Sequence, residues 1–262
     1  MQATTLALVG ATGGAGTTRT AVELAAIGAR DDRDVAVVDA AFTTQGLSEH
    51  VAGRIGTDLT ALLTDETDAS LSAATYPIDV EGEGNGDGDT AALPGRADAV
   101  PARAPFERAA RAKTAEAARK LERRIGEAAT AYDAVVVDAA PVGSNEAVGA
   151  VAAADRVEAV TPATAHGRDA LQRLRGRVAD VGGSVDGTIA VDRAGESGSE
   201  RGDGGRADTE LPPTDPVVGS APEATTGTGE YVAALAEAYE RAFDASLGIE
   251  FEEPGLVERL RS

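Results

Sequence analysis

Short unbroken apolar runs alternate along this chain with stretches in which apolar residues recur every three or four positions. LALV at 6–9, VAVV at 35–38 and YDAVVVD at 132–138 are runs of the first kind. They are short enough for strands buried on both faces of a parallel sheet. Further strands are predicted at 156–161, at 187–191 and, shorter and leading into a turn, at AALPG, 91–95. Helical spacing follows the first run, through Ala21, Val22, Leu24 and Ala25. Short helical pieces are expected at 47–51 and 59–63, the second capped by Thr57-Asp58. A long helix is predicted over 105–131, with Phe106, Ala110, Ala117, Leu121 and Ile125 toward the core. Its basic residues from Arg108 to Arg124 read as a solvated face. Helices are also predicted at 144–154, about 167–181 and 230–247, the last with Val232, Leu235, Tyr239 and Phe243 on one side. Strand alternating with helix throughout predicts an α/β fold, a mostly parallel sheet with helices on both faces.

Polar segments punctuate this order. EGEGNGDGD at 81–89 and GESGSERGDGGRAD at 195–208 are expected to be flexible loops. Residues 211–221 read as a proline-punctuated connection. The whole is expected to be one domain over 1–247, followed by a tail, 248–262, that holds at most a short amphipathic helix.

The candidate chemistry lies between the first strand and the first helix. Gly10, Gly13, Gly14 and Gly16 fall within seven residues and lead into Thr17-Thr18. Strand, glycine turn and helix start aim bare backbone N–H groups at an anion, most often a phosphate. As a P-loop, residues 12–18 have the glycines and, in Thr18, a hydroxyl for magnesium. Ala11 and Thr17 depart from the strict pattern, standing where a glycine and a lysine belong. As a dinucleotide fingerprint, Gly10-x-x-Gly13-x-x-Gly16 is similar to the turn of short-chain dehydrogenases, with Asp39 available to a ribose hydroxyl of NAD(P). Those enzymes need a tyrosine four residues before a lysine. Ala109 and Glu116 precede the chain's two lysines, Lys113 and Lys120, at that distance.

Composition narrows the setting. The 262 residues include 44 acidic and 24 basic side chains, a formal charge of −20, and only 3% aromatics. An acidic, lysine-poor, alanine- and valine-rich chain looks like a cytoplasmic protein of a salt-accumulating halophile, where the Debye length is about 3 Å and self-repulsion is screened. The charge argues against nucleic-acid binding through the open surface. Absence of cysteine excludes disulfides and thiolate metal sites. No basic segment precedes the first strand and no apolar run approaches the roughly 20 residues that span a bilayer, so neither a signal peptide nor a membrane span is expected.

Taken in order, the segments resemble the ParA/MinD group of deviant Walker ATPases. TGGAGTT at 12–18 is similar to their KGGxGKTT, and VAVVDAAFTTQGL to their VLxIDADxxxGNL. AALPG resembles their LLPG, and YDAVVVDAAPVGSNEAV their YDxIIIDTPPG switch segment. AADRVEAVTPATAHGRDALQRL, AVDRA and LPPTDPVVGSA fall where the group carries AADxVLLVTTPxxxSLRDAxRxL, VVNRV and IPxDxxVxxA. The resemblance implies a P-loop NTPase fold and an ATP-driven homodimer with Mg²⁺ at the shared face. Gly13, Gly14, Ala15, Gly16, Thr17 and Thr18 are then nucleotide-binding, with Asp192 at the base. Thr18 and, through water, Asp138 hold the metal. Asp39, the one catalytic candidate, sits beside the γ-phosphate.

The departures from the pattern fall on the catalytic groups. Thr12 and Thr17 replace both family lysines, Ala41 replaces the second aspartate, and Val142 stands at the switch glycine, with Gly143 one place late. Asp192 replaces the asparagine at the base and accepts hydrogen bonds without donating them. Arg19 lies one residue past the hydroxyl and is expected to point away from the phosphates. Losing two phosphate-clamping cations weakens binding by roughly 3–6 kcal/mol. The implied function is a degenerate nucleotide-binding protein that dimerises or binds an unidentified protein partner, in cell division or chromosome positioning, with hydrolysis weak or lost. The alternatives are a working Mg-ATPase with replacement cations and an NAD(P) binder. MinD-like proteins end in a membrane-seeking helix, to which LVERL at 256–260 is faintly similar. Glu250, Glu252 and Glu253 beside it oppose an anionic leaflet, so packing onto the domain is expected instead.

Overall fold

The computed structural model describes residues 3–80, 93–193, 207–249 and 251. The expected loops at 81–89 and 195–206 and the 256–260 segment lie outside the described residues, as do Ala91 and Ala92.

An eight-stranded sheet runs in the order β3-β4-β2-β5-β1-β6-β7-β8. Its strands are β1 (Thr4–Gly10), β2 (Asp34–Ala40), β3 (Tyr76–Pro77), β4 (Arg96–Val100), β5 (Ala134–Ala139), β6 (Arg156–Pro162), β7 (Gly187–Val191) and β8 (Thr209–Leu211). Every neighbouring pair is parallel except β3 with β4 at the edge. Helices α1 (Thr17–Arg30) and α7 (Glu230–Phe243) cover one face. The other face carries α2 (Leu59–Leu63), α3 (Phe106–Arg111), α4 (Ala115–Ala131), α5 (Asn145–Ala153) and α6 (Ala165–Asp180).

The central strands are apolar on both sides because both sides are covered. Leu6, Leu8, Val35, Val37 and Val136 pack under α1 and α7, whereas Ala7, Val9, Val38, Val135 and Val137 pack under α4 to α6. This two-residue alternation fixes the aim of both strand-end aspartates. Asp39 follows the parity of Val37, and Asp138 that of Val136, so both face α1. Parallel pairing of β2 with β5 sets Asp39 opposite Asp138. Close approach of α1 to the sheet needs Gly28, since a Cβ there would stand 2.7 Å from Val35 Cγ2 and 2.9 Å from Tyr239 Cε2.

Several sequence expectations shift. Of the strand predicted at 91–95, the described residues 93–95 are not strand, and a strand forms just beyond them at Arg96–Val100, where it pairs with β2. The helix predicted over 105–131 is two helices, because the chain breaks after Arg111 and restarts under a Thr114 cap, whose hydroxyl accepts from Ala117 N at 3.2 Å. That break resets the helical phase. Ala109 and Ala112 turn inward, while Ala110 lies outside and Phe106 is 89% exposed. The last helix ends at Phe243, where Asp244 takes a left-handed φ of 49°, not at 247. The piece at 47–51 is a 3-10 turn, Gly46–His50. Strands β3 and β8, two and three residues long, were not predicted. Asp208, assigned to a loop, accepts from Thr188 N and Oγ1, both at 2.8 Å, and anchors the start of β8.

Candidate nucleotide site

Three loops leave neighbouring strands at the carboxyl edge of the sheet. The first, residues 11–16, joins β1 to α1. Ala11 N donates to Val160 O of β6 at 2.7 Å, holding the loop to the sheet as it departs. Gly14 and Gly16 take φ of +69° and +93°, conformations that glycine adopts without strain. Gly16 is the N-cap of α1 and has no side chain to satisfy the first N–H groups of the helix, so those donors face the loop. Thr17 folds its hydroxyl back toward the strand end, where a Cβ on Gly10 would meet it at 2.8 Å. The predicted loop residues Gly13, Gly14, Ala15, Gly16, Thr17 and Thr18 thus form a strand–turn–helix start with no lysine in it.

The second loop leaves β2. Asp39 is fully buried, and both its oxygens are occupied. Oδ1 accepts from Ala41 N at 2.8 Å and Oδ2 from Ala102 N at 3.2 Å. The loop returns over α1 at Gly46, where a Cβ would stand 3.5 Å from the Thr18 hydroxyl. Asp39 therefore ties the loops after β2 and β4 together. Each oxygen thus holds one backbone donor. The same bonds position the two loops relative to each other.

The third loop leaves β5 after Asp138. This carboxylate is also buried, and neither oxygen has a hydrogen-bond partner. A buried, unpartnered carboxylate is costly and calls for a cation or a proton. Burial first, and the Asp138 charge next, push Asp39 up to about 7. Burial pushes Asp138 up to about 6, and the Thr18 hydroxyl lies near enough to draw it back without completing a hydrogen bond. Thr18 and Asp138 thus lie side by side.

Among the described residues no cluster of three or more His, Cys, Asp or Glu forms a cage for a metal ion. Mg²⁺ needs none, because it keeps several waters and takes one or two protein oxygens beside a phosphate. Thr18 Oγ1 and the unpartnered Asp138 oxygens are of the kind that would suit such an ion.

Asp192 falls just past the end of β7, half-buried, with its backbone N–H donating to Leu211 O at 2.9 Å. Its neighbours on both sides touch the glycine loop. Val191 Cγ1 lies 3.6 Å from where a Cβ on Gly16 would be. Arg193 donates from its guanidinium to the Gly14 carbonyl. Arg19 points away, as expected, pairing with Glu23 at 2.7 Å and donating to Asp215 O at 2.9 Å. Glu23 is buried and accepts from Glu223 N and Ala224 N at 3.0 and 2.8 Å, so α1 holds the 215–224 segment in place.

Cations missed by sequence reasoning brace all three loops. Arg193 lies on the first, and Lys113 Nζ donates to Thr43 Oγ1 on the second at 2.6 Å. Arg177 donates to Val142 O on the third at 3.0 Å. The only signal available was scarcity, since Lys113 is one of two lysines, and an arginine directly following Asp192.

No protein-family model matches the sequence, and no curated protein matches it. Solved structures do match in fold. The septum site-determining protein MinD from Pyrococcus horikoshii, complexed with Mg-ADP, superposes with a TM-score of 0.72 at 19% identity, over 91% of this chain and 95% of that one. A ParA family ATPase from Chlorobium tepidum gives 0.70 at 16% identity, over 90% and 98%. Cyanothece McdA, as an aspartate-to-alanine variant in complex with ATP, gives 0.65 at 16%, over 95% and 99%. The fold is that of the ParA/MinD P-loop proteins.

Proposed function

We propose that the chain binds Mg-ATP at the carboxyl edge of the sheet and uses it to regulate its own association, as a homodimer or with a protein partner, in cell division or intracellular positioning. The observation that carries this reading is Asp138, buried without a hydrogen-bond partner beside the first-turn hydroxyl of Thr18. Structures of this fold bear names that support the rest: MinD holds Mg-ADP and the McdA variant holds ATP.

In this reading the glycine loop and the N-terminus of α1 receive the phosphates through backbone N–H groups. Thr18 and Asp138 would hold a hydrated Mg²⁺, which would supply charge neutralisation to the phosphates. Asp39 holds the loops after β2 and β4 in register and makes no contact with the ligand. Ala41 offers no carboxylate to position an attacking water. Thr12 and Thr17 bring no charge to a developing transition state, a contribution worth about 10³–10⁵ in rate where such a cation is present. Hydrolysis is therefore slow, and the nucleotide acts chiefly as a ligand.

Titration with ATP and with NADPH in molar KCl, with and without Mg²⁺, tests this. Magnesium-dependent ATP binding, abolished in Thr18→Ala and accompanied by little phosphate release, is the expected result. Magnesium-independent NADPH binding would overturn it. A second reading, a working Mg-ATPase, draws support from the three cations that brace the loops. Steady phosphate release that disappears in Asp138→Ala would favour that one.

A further inference from the structure

The glycine loop lacks both lysines expected of it, yet one cation lies directly on it. Arg193 follows β7 by two residues and is exposed, and its guanidinium donates to the carbonyl of Gly14. The strand that carries it is seated against the loop, with Val191 packed at Gly16. Lys113 and Arg177 do not compete for this place, since each is bonded to a different loop, through Thr43 Oγ1 and Val142 O. A guanidinium carries five N–H donors in a planar fork, so one edge can hold a carbonyl while another faces a phosphate oxygen. An independent sign that a ligand belongs here is Asp138, more than nine-tenths buried, unpartnered, and beside Thr18 in the first turn of the same helix.

We infer that Arg193 is the phosphate-facing cation of this site, contributed from the end of β7 in place of the lysines absent at positions 12 and 17. The inference rests on the nucleotide reading above. The ligand class is a nucleoside polyphosphate, and the charge acts on the terminal phosphates more than on the nucleoside. Because the side chain comes from outside the loop, it can swing in without altering the cradle. Its tie to Gly14 also couples phosphate binding to the end of β7, next to Asp192.

Calorimetric titration of the full chain in molar KCl with Mg²⁺ tests this, comparing ATP with AMP. Arg193→Ala should weaken ATP binding about ten- to a hundredfold, the size of one charge-assisted contact, and AMP binding much less. Arg193→Lys, which keeps the charge but not the fork, should recover part of the loss. Arg123→Ala, on the exposed face of α4, should bind as the unmodified protein does. Unchanged ATP affinity in Arg193→Ala overturns the inference. So does an equal loss for ATP and AMP, because it reports a side chain that merely props the loop. Absence of ATP binding by the unmodified protein overturns the nucleotide reading itself and this inference with it. That outcome is distinguishable because it appears before any substitution is made.

Discussion

Replacing Asp138 with asparagine removes one charge from a buried carboxylate that has no hydrogen-bond partner. The carboxylate is buried and unpartnered, and burial raises its pKa from an ordinary 3.8 to about 6. The folded state therefore binds a proton more tightly than the unfolded chain does. Between about pH 4 and pH 6 the folded form holds more protons, so stability falls as pH rises through that window and levels off above it. The difference of about 2 units amounts to roughly 3 kcal/mol at pH 7. Asparagine has nearly the shape of the protonated acid and carries no charge at any pH. Glu23 and Glu158 are also raised by burial, but they titrate in both proteins and cancel in the comparison, whereas Asp39, raised in part by the Asp138 charge, is relieved in the variant and shifts the difference in the same direction. Urea denaturation of Asp138→Asn and the unmodified protein, without nucleotide, at pH steps from 4 to 8 in molar KCl, reads the effect. The two should be close at pH 4, and the variant should be more stable by up to about 3 kcal/mol at pH 7. A constant difference across the range, or a variant less stable at pH 7, would refute the claim that an uncompensated charge sits there.

Other substitutions test the surrounding structure. Gly28→Ala forces a Cβ to within 2.7 Å of Val35 Cγ2, and overpacking of this kind should cost about 1–3 kcal/mol in urea denaturation despite the better helix propensity of alanine. Arg108→Ala removes the ion-pair partner of buried Asp58 and the 2.9 Å bond to Thr60 Oγ1; a loss of about 2 kcal/mol is expected, larger than for Arg111→Ala on the exposed side of the same helix. Phe106→Ser alters an 89% exposed ring and should shift unfolding by less than about 0.5 kcal/mol; a large loss would mean that this ring is covered in solution.

The parts of the fold legible in the sequence are those fixed by local pattern. Apolar runs with no polar interruption identified the central strands, whereas the aim of Asp39 and Asp138 toward α1 follows from which helices cover each face of the sheet. The neighbourhood of Thr18 and Asp138 agrees with what the family resemblance implied for their positions. Features set by tertiary context were not legible. Phe106 fits the helical stripe of residues 105–131, and only the break after Arg111 rotates it outward. Strands β3 and β8 are too short to carry a periodic signal and exist because an edge stands beside them. Asp39 looked like a ligand-facing acid at a strand end. Its occupation by Ala41 N and Ala102 N depends on a loop some 60 residues later in the chain. Arg193, Lys113 and Arg177 reach their loops from other elements, and sequence spacing does not encode such contacts.

The most direct test of the central claim, that Thr18 and Asp138 await a hydrated cation brought with nucleotide, uses Mn²⁺ in place of Mg²⁺. Electron paramagnetic resonance of Mn²⁺ titrated into the protein with ATP should show bound ion only when both nucleotide and the Asp138 carboxylate are present. Loss of the bound signal in Asp138→Asn is the predicted result. An unchanged signal in that variant would contradict the account.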